Sequence, residues 1–181
     1  IPGAVALVAR NGRVVYHKAF GMANSELGID MNPDDIFRIA SQSKAITSTA
    51  VMMLWEQGLF RLDDPISKWI PGFKDAGVLD TFNEQEGTWT TKPADKPITI
   101  RHLLTHTSGI GYGVIDGDPR FKKIYDKAGV TDLFTTEKIT IGESVKELAK
   151  LPLHLVPDTI EAYAALAFAE GASKYGAYNW R

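Results

Sequence analysis

The sequence predicts a mixed fold of antiparallel strands and helices, and three observations lead to this prediction. Two apolar runs flank Asn11-Gly12, the residue pair that most strongly signals a β-hairpin. An apolar stretch with helical spacing follows at 42–57. Shorter helical patterns with capping residues recur in the second half of the chain. The expected class is therefore α/β in the broad sense (α+β).

Length and composition limit the functions that are open to this chain. It has 181 residues and a net charge of −2, with 44% apolar and 23% charged residues. This is a globular composition for one domain or part of a larger one, without a general attraction to nucleic acid. No apolar run approaches the roughly 18 residues of a membrane span. The absence of cysteine excludes disulfides, thiolate metal sites and a cysteine nucleophile. We therefore expect no nucleic-acid partner and no membrane span.

The first strands are predicted at 4–10 and 13–20, because both residues of Asn11-Gly12 tolerate a positive φ. After the breaker Asn32-Pro33-Asp34, a short extended segment is expected at 37–40. The chain begins with Ile1 and shows no basic or apolar leader segment. We therefore expect a processed, excised or fragmentary chain.

A helix is predicted from about Gln42 to Gln57, with Gly58 as its C-terminal stop. Its apolar positions cover so much of the helix surface that we expect a buried helix. They are Ala45, Ile46, Val51, Met52, Met53, Leu54 and Trp55.

The second half of the chain is predicted to combine one irregular stretch with short helices. Residues 72–97 show little periodicity, so we expect an irregular surface excursion. Thr140 and Glu143 match a capping box, in which both side chains satisfy unpaired N–H groups. Helices are predicted at 100–105, at 119–128, from 141 to before Pro152, and at 159–174.

The candidate catalytic residues are Ser41 and Lys44, which lie three positions apart at the predicted start of a helix. Positions i and i+3 share a helix face, so the hydroxyl and the amine can meet. A serine hydroxyl becomes a good nucleophile when a base takes its proton, and a lysine can be that base if burial or nearby positive charge lowers its pKa. The spacing alone is also typical of a capping serine beside an exposed helical lysine.

Three separated segments extend this signal in the same order along the chain. Residues 37–44 (FRIASQSK), 59–71 and 98–110 resemble the β-lactamase-related serine hydrolase family. That family includes class C β-lactamases, D-alanyl-D-alanine peptidases and family VIII-type esterases. The opening hairpin is also similar, and the resemblance covers about residues 1–157.

The resemblance implies a β-lactamase/transpeptidase-like fold with an antiparallel sheet flanked by helices. It also implies that Ser41 is acylated, that Lys44 handles the proton, and that the reaction needs no metal or organic cofactor. The substrate would be a small ester, a peptide or a β-lactam, with an ester or peptide favoured over efficient β-lactam hydrolysis. A periplasmic or secreted location is suggested by the resemblance only.

The second family motif is a tyrosine that often follows Pro-Gly-Thr, and Tyr163 can be aligned with it. Tyr163 would then be the general base or acid beside Ser41. Asp158 replaces the usual glycine of that motif, and Ala165 replaces a polar group. The alternative for Tyr163 is a helical tyrosine that packs on a core.

A third family motif, Lys-Thr-Gly or His-x-Gly, is not found before Arg181. The fold is therefore expected to be incomplete in its C-terminal half, with an incomplete set of oxyanion donors. This favours a second hypothesis, that the chain is a catalytically incomplete fragment or pseudoenzyme that acts as a binding or structural domain. Such a domain could complete its sheet with another chain, and a homo-oligomer is left open.

Residues 155–181 are similar to a segment of phage proteins of the dATP/dGTP diphosphohydrolase-like type. We therefore divide the chain into a partial hydrolase domain at 1–157 and a helical segment of uncertain origin at 158–181. A third hypothesis links the chain to phage nucleotide metabolism.

Two further signals are interpreted as structural. His102 and His106 could share a helix face as metal ligands, but Leu103 stands where a zinc protease pattern needs glutamate. We therefore expect no metal site there. The acid pairs Asp34-Asp35 and Asp63-Asp64 lie beside proline and are expected to form turns and caps.

Overall fold

A computed structural model of the chain describes residues 1–113, 117–130 and 138–158. The chain forms two compact units, Ile1–Thr49 and Ala50–Arg181. The helix predicted at 159–174, which includes Tyr163, lies outside the described residues. No helix within the described ranges is both long and apolar enough to cross a membrane.

The first unit contains a three-stranded antiparallel sheet in the order β1-β2-β3, and this confirms the predicted hairpin. Its strands are β1 (Gly3–Arg10), β2 (Arg13–Asn24) and β3 (Ile29–Asp30). Asn11 and Gly12 both have positive φ, 50° and 73°, as a two-residue type I′ turn requires. Among the described residues, β1 has a strand partner on one side only.

The extended segment expected at 37–40 is not a strand. It is irregular, and its last residue, Ala40, has a left-handed φ of 44°. The physical reason is the turn that leads into the next helix, in which Gln42 N–H donates to the carbonyl of Ile39 at 3.0 Å.

Helix α1 spans Gln42–Glu56, as predicted, and ends at Gly58. Gly58 has a φ of 73° and donates to the Trp55 carbonyl at 2.8 Å, while Leu59 donates to the Leu54 carbonyl at 3.3 Å. These two bonds form a Schellman motif, which satisfies carbonyls at the helix end.

The expectation that α1 is buried is wrong. None of its residues is buried, and Ile46 and Met53 are 64% and 56% exposed. The buried apolar side chains of the described residues form two clusters, and neither cluster includes a residue of α1.

The second unit contains a hairpin where an irregular excursion was expected. Strands β4 (Gly77–Asn83) and β5 (Thr88–Pro93) pair antiparallel between two short 3₁₀ turns and α2. The Asn83 side chain accepts hydrogen bonds from the N–H groups of Gln85 and Glu86, which holds the connecting turn. Val78 and Leu79 are buried, and this burial stabilises the pairing.

Three short helices follow the hairpin, close to their predicted positions. They are α2 (Ile100–Leu104), α3 (Pro119–Ala128) and α4 (Ile141–Leu148). The capping box of Thr140 and Glu143 is present as predicted, and Asp118 caps α3. The side-chain caps explain why helices this short begin at defined residues.

Strand β4 lies between two apolar clusters, because neighbouring residues of a strand point to opposite faces. Val78 belongs to the first cluster and Leu79 to the second. Leu153 pairs with β4 on the side away from β5, since its N–H donates to Gly77 and its carbonyl accepts from Leu79. The first cluster consists of Ile66, Phe73, Val78, Ile98 and Leu153, and the second of Leu79, Phe121, Ile124, Tyr125 and Leu151.

The loop after α2 is held against residues 154–158 by backbone hydrogen bonds. His154 N–H donates to the Gly109 carbonyl at 2.8 Å, and Asp158 N–H donates to the Thr107 carbonyl at 2.9 Å. Gly109 has a φ of 77°, and a Cβ added there would lie 2.1 Å from the carbonyl oxygen of Leu155. Glycine is therefore required at this position for two separate reasons.

We predict that Gly109→Ala destabilises the protein by roughly 2 kcal/mol or more, since it adds a backbone clash to a strained φ. Gly117→Ala is the matched control, because Gly117 has a similar φ of 72° but no described atom lies within 4 Å of an added Cβ. Its expected cost is about 1 kcal/mol. Urea unfolding of both variants measures the difference, and equal losses would contradict the clash.

A second prediction concerns His154, whose ring stacks on Phe121 at 3.3 Å between centroids. Burial lowers the pKa of His154 to about 4, with Asp118 acting in the opposite direction and Arg120 in the same direction. The folded state therefore favours the neutral ring, whereas the unfolded chain binds its proton near pH 6.5. The stability contributed by His154 is complete above pH 6.5 and is lost as the pH falls towards 4.

The free energy of unfolding should accordingly be about 2 kcal/mol lower at pH 5 than at pH 8. Urea unfolding at a series of pH values measures this slope, with His154→Phe as the control that cannot titrate. Parallel profiles for the two proteins between pH 5 and pH 8 would show that His154 is not the titrating group.

Candidate active site

Ser41 and Lys44 lie at the N-terminus of α1, one helical turn apart. Lys44 Nζ donates a hydrogen bond to Ser41 Oγ at 3.0 Å. The backbone N–H of Lys44 also donates to the carbonyl of Ser41 at 3.0 Å. The start of the helix thus brings a hydroxyl and an amine into direct contact, the arrangement that proton transfer between them requires.

Both side chains are exposed to solvent. A dry pocket around the pair, which activation of the lysine by burial would need, is therefore not formed by the described residues. The buried apolar side chains of the described ranges belong to two clusters of the second unit, and neither cluster includes Ser41 or Lys44. Water can reach the hydroxyl and the amine and compete for their hydrogen bonds.

The backbone around Ser41 is tightly turned. Three successive N–H groups, of Gln42, Ser43 and Lys44, donate to carbonyls three residues earlier at 3.0 to 3.1 Å. Ala40, immediately before Ser41, has a φ of 44°. No sequence signal points to this conformation, because alanine rarely adopts a positive φ.

His102, one of the two histidines considered as metal ligands, has a structural partner. His102 is buried, and its Nδ1 accepts a hydrogen bond from the Thr99 N–H at 3.2 Å, which closes a capping box on α2. Desolvation lowers the pKa of His102. Within the described ranges, no group of three or more potential ligands could hold a metal ion.

Asp63 forms a two-point ion pair with Arg101, at 2.6 and 3.0 Å, and this hydrogen bonding is the main reason that its pKa is lowered. Asp64 accepts a hydrogen bond from the N–H of Arg61, as expected for a turn-forming acid. These acids therefore link neighbouring segments of the second unit.

One groove of the second unit was not predicted from the sequence. It has a volume of about 500 Å³ and lies between residues 73–77 and 91–98. Lys74, Asp75, Asp95 and Lys96 contribute charges of both signs. Part of the β4–β5 hairpin forms one wall of this groove. Because residues 72–97 are rich in polar residues and show little periodicity, the sequence did not predict that hairpin.

Comparison with known proteins assigns the class. Residues 1–174 match the model of the Beta-lactamase family, so the chain belongs to that family. The predicted resemblance and fold class are thereby confirmed. The proposed division near residue 157 stays a prediction, as does the role of Tyr163.

Sequence identities to individual members describe the similarity in more detail. The chain is 36% identical over 155 residues to esterase EstB of Burkholderia gladioli, covering 86% of this chain and 36% of that protein. It is 35% identical over 124 residues to the putative penicillin-binding protein PbpX of Bacillus subtilis, covering 66% of this chain and 27% of that protein.

The structure is similar to that of EstCE1, described as a hydrolase with promiscuous acyltransferase activity. The TM-score is 0.67 and the sequence identity 31%, over 93% of this chain and 42% of that one. The chain thus spans well under half the length of each of these relatives.

Proposed function

We propose that the chain carries the nucleophile and base of a serine hydrolase, with Ser41 as the acylated residue and Lys44 as its proton acceptor. The observation that supports this most directly is the 3.0 Å contact between Oγ and Nζ. Membership of the Beta-lactamase family supports the same assignment.

In the proposed reaction, Lys44 Nζ takes the proton of Ser41 Oγ while Oγ attacks an ester or amide carbonyl. The backbone N–H of Ser41 stabilises the oxyanion of the tetrahedral intermediate. Lys44 passes this proton to the leaving group as the bond to the carbonyl carbon breaks, which leaves an acyl-serine. Water then attacks the acyl-serine, a proton of the water passes through Lys44 to Ser41 Oγ as the ester bond breaks, and the acid is released. Tyr163 is the proposed partner in these proton transfers.

The proposed substrate class is a small ester, with a peptide as the alternative. Support comes from the similarity to an esterase and to a hydrolase that also transfers acyl groups. An acyl-enzyme can pass its acyl group to an alcohol instead of water when the alcohol occupies the site. We therefore include alcohols among the proposed acyl acceptors.

A second candidate function is a binding or structural domain without catalysis. The exposure of Ser41 and Lys44 favours it, because acyl transfer gains much of its rate from sites that exclude water. The one-sided pairing of β1 also favours it, since an open strand edge can accept a partner chain.

We predict that a fluorophosphonate forms a covalent adduct on Ser41 and that Ser41→Ala forms none. Intact-mass spectrometry followed by peptide mapping measures this. Ser43→Ala is the matched control, because Ser43 is an exposed serine two residues away in the same helix. Folded wild-type protein that stays unlabelled would favour the binding domain over the hydrolase.

A further prediction is that Lys44→Met lowers the labelling rate about 100-fold or more, as expected for loss of a positioned base. The fold should be kept, since Lys44 is exposed and methionine retains much of its chain. Lys92→Met, at an exposed lysine of β5, controls for the loss of a charge. Labelling of Lys44→Met at the wild-type rate would show that another group activates the serine.

A further inference from the structure

Asn11, at the tip of the first hairpin, differs from the other described asparagines in how its side chain is held. The carboxamide oxygens of Asn24 and Asn83 each accept two backbone N–H groups, and that of Asn32 accepts one. Within the described ranges, the carboxamide of Asn11 has no hydrogen-bond partner. Its side chain is exposed and therefore free to rotate.

The backbone nitrogen that follows Asn11 is accessible as well. Gly12 is exposed, and no described atom lies within 4 Å of the position that a Cβ would take there. In the part of the chain that the structure describes, no group accepts a hydrogen bond from the Gly12 N–H. An unshielded carboxamide therefore stands beside an unshielded amide nitrogen.

The other described asparagines lack such a neighbour. Residues with side chains follow Asn24 and Asn83, and their β-carbons crowd the backbone nitrogen. Proline follows Asn32, and its nitrogen carries no proton to give up. The pairing of a free carboxamide with an open N–H is thus confined, among the described asparagines, to the hairpin tip.

The tip is also the weakest point of the hairpin. The pair next to the turn joins Arg10 to Arg13, which lie directly opposite each other. Like charges in this position destabilise a strand pair, and neither arginine has an ion-pair partner among the described residues. Asn11 must rotate out of its left-handed conformation for its carboxamide to reach the next nitrogen, and a weak closing pair permits this local opening.

We propose that Asn11 is a site of spontaneous deamidation, exposed by opening of the hairpin tip, with water as the co-reactant. The Gly12 nitrogen attacks Cγ of Asn11, the bond from Cγ to Nδ2 breaks, and ammonia leaves with the proton of the attacking nitrogen. Water then opens the resulting succinimide. Cleavage of its bond to Cγ gives aspartate, and cleavage of its bond to the main-chain carbonyl carbon gives isoaspartate. The proposal is independent of the hydrolase function.

The two products differ in their effect on the hairpin. Aspartate keeps the length of the backbone and tolerates the same turn. Isoaspartate carries the backbone through Cγ and adds one carbon atom to a turn that accommodates two residues of normal length. We therefore expect the isoaspartate product to lose the pair between Arg10 and Arg13. Either product adds one negative charge to a chain whose net charge is −2.

Incubation of the folded protein in mildly alkaline buffer, followed by peptide mapping with mass spectrometry, tests the proposal. We expect Asn11 to convert at least tenfold faster than Asn24 and Asn83, because their carboxamides must first give up hydrogen bonds. Electron-transfer fragmentation should find both aspartate and isoaspartate at position 11. Conversion of Asn11 that is no faster than that of Asn24 would overturn the proposal.

Variants of Arg13 test the role of the tip. Arg13→Glu places opposite charges across the closing pair, whereas Arg13→Lys is the matched control that keeps like charges. We expect Asn11 to convert about threefold more slowly in Arg13→Glu than in Arg13→Lys, which should match the wild-type rate. Equal rates in the two folded variants would contradict exposure by opening of the tip. If Arg13→Glu does not fold, Arg10→Glu against Arg10→Lys takes its place with the same expectation.

Discussion

The hydrogen bond between Lys44 and Ser41 depends on the first turn of α1, and the proposed chemistry depends on that bond. The helix supplies the spacing that brings the two side chains to one face. The interaction involves neighbours in sequence, so it needs no long-range packing to form. It can therefore be present even though α1 itself has no buried residue.

Local signals in the sequence predicted the fold well where the responsible interaction was also local. The turn at Asn11-Gly12, the stop at Gly58 and the capping box of Thr140 and Glu143 each depend on residues within a few positions of one another. The start of α1 and the contact between Ser41 and Lys44, which are three residues apart, are local features too. The geometry of a turn or a helix end is determined mainly by its own few residues. This explains why the predicted and observed local features agree.

The predictions that were wrong depended on distant parts of the chain. The hairpin of β4 and β5 is stabilised by burial of Val78 in the cluster with Leu153 and of Leu79 in the cluster with Leu151, which no local pattern reveals. The apolar surface of α1 predicted burial, but no residue of α1 is buried. The left-handed Ala40 was missed because alanine carries no signal for it.

The central claim is that contact with Lys44 makes Ser41 a nucleophile, and pre-steady-state hydrolysis of a p-nitrophenyl ester tests it most directly. The account predicts a burst of p-nitrophenol equal to the concentration of protein, with the acyl group found on the peptide that contains Ser41. An undiminished rate of hydrolysis in folded Ser41→Ala, or an acyl group on another residue while Ser41 stays unmodified in folded protein, would contradict it.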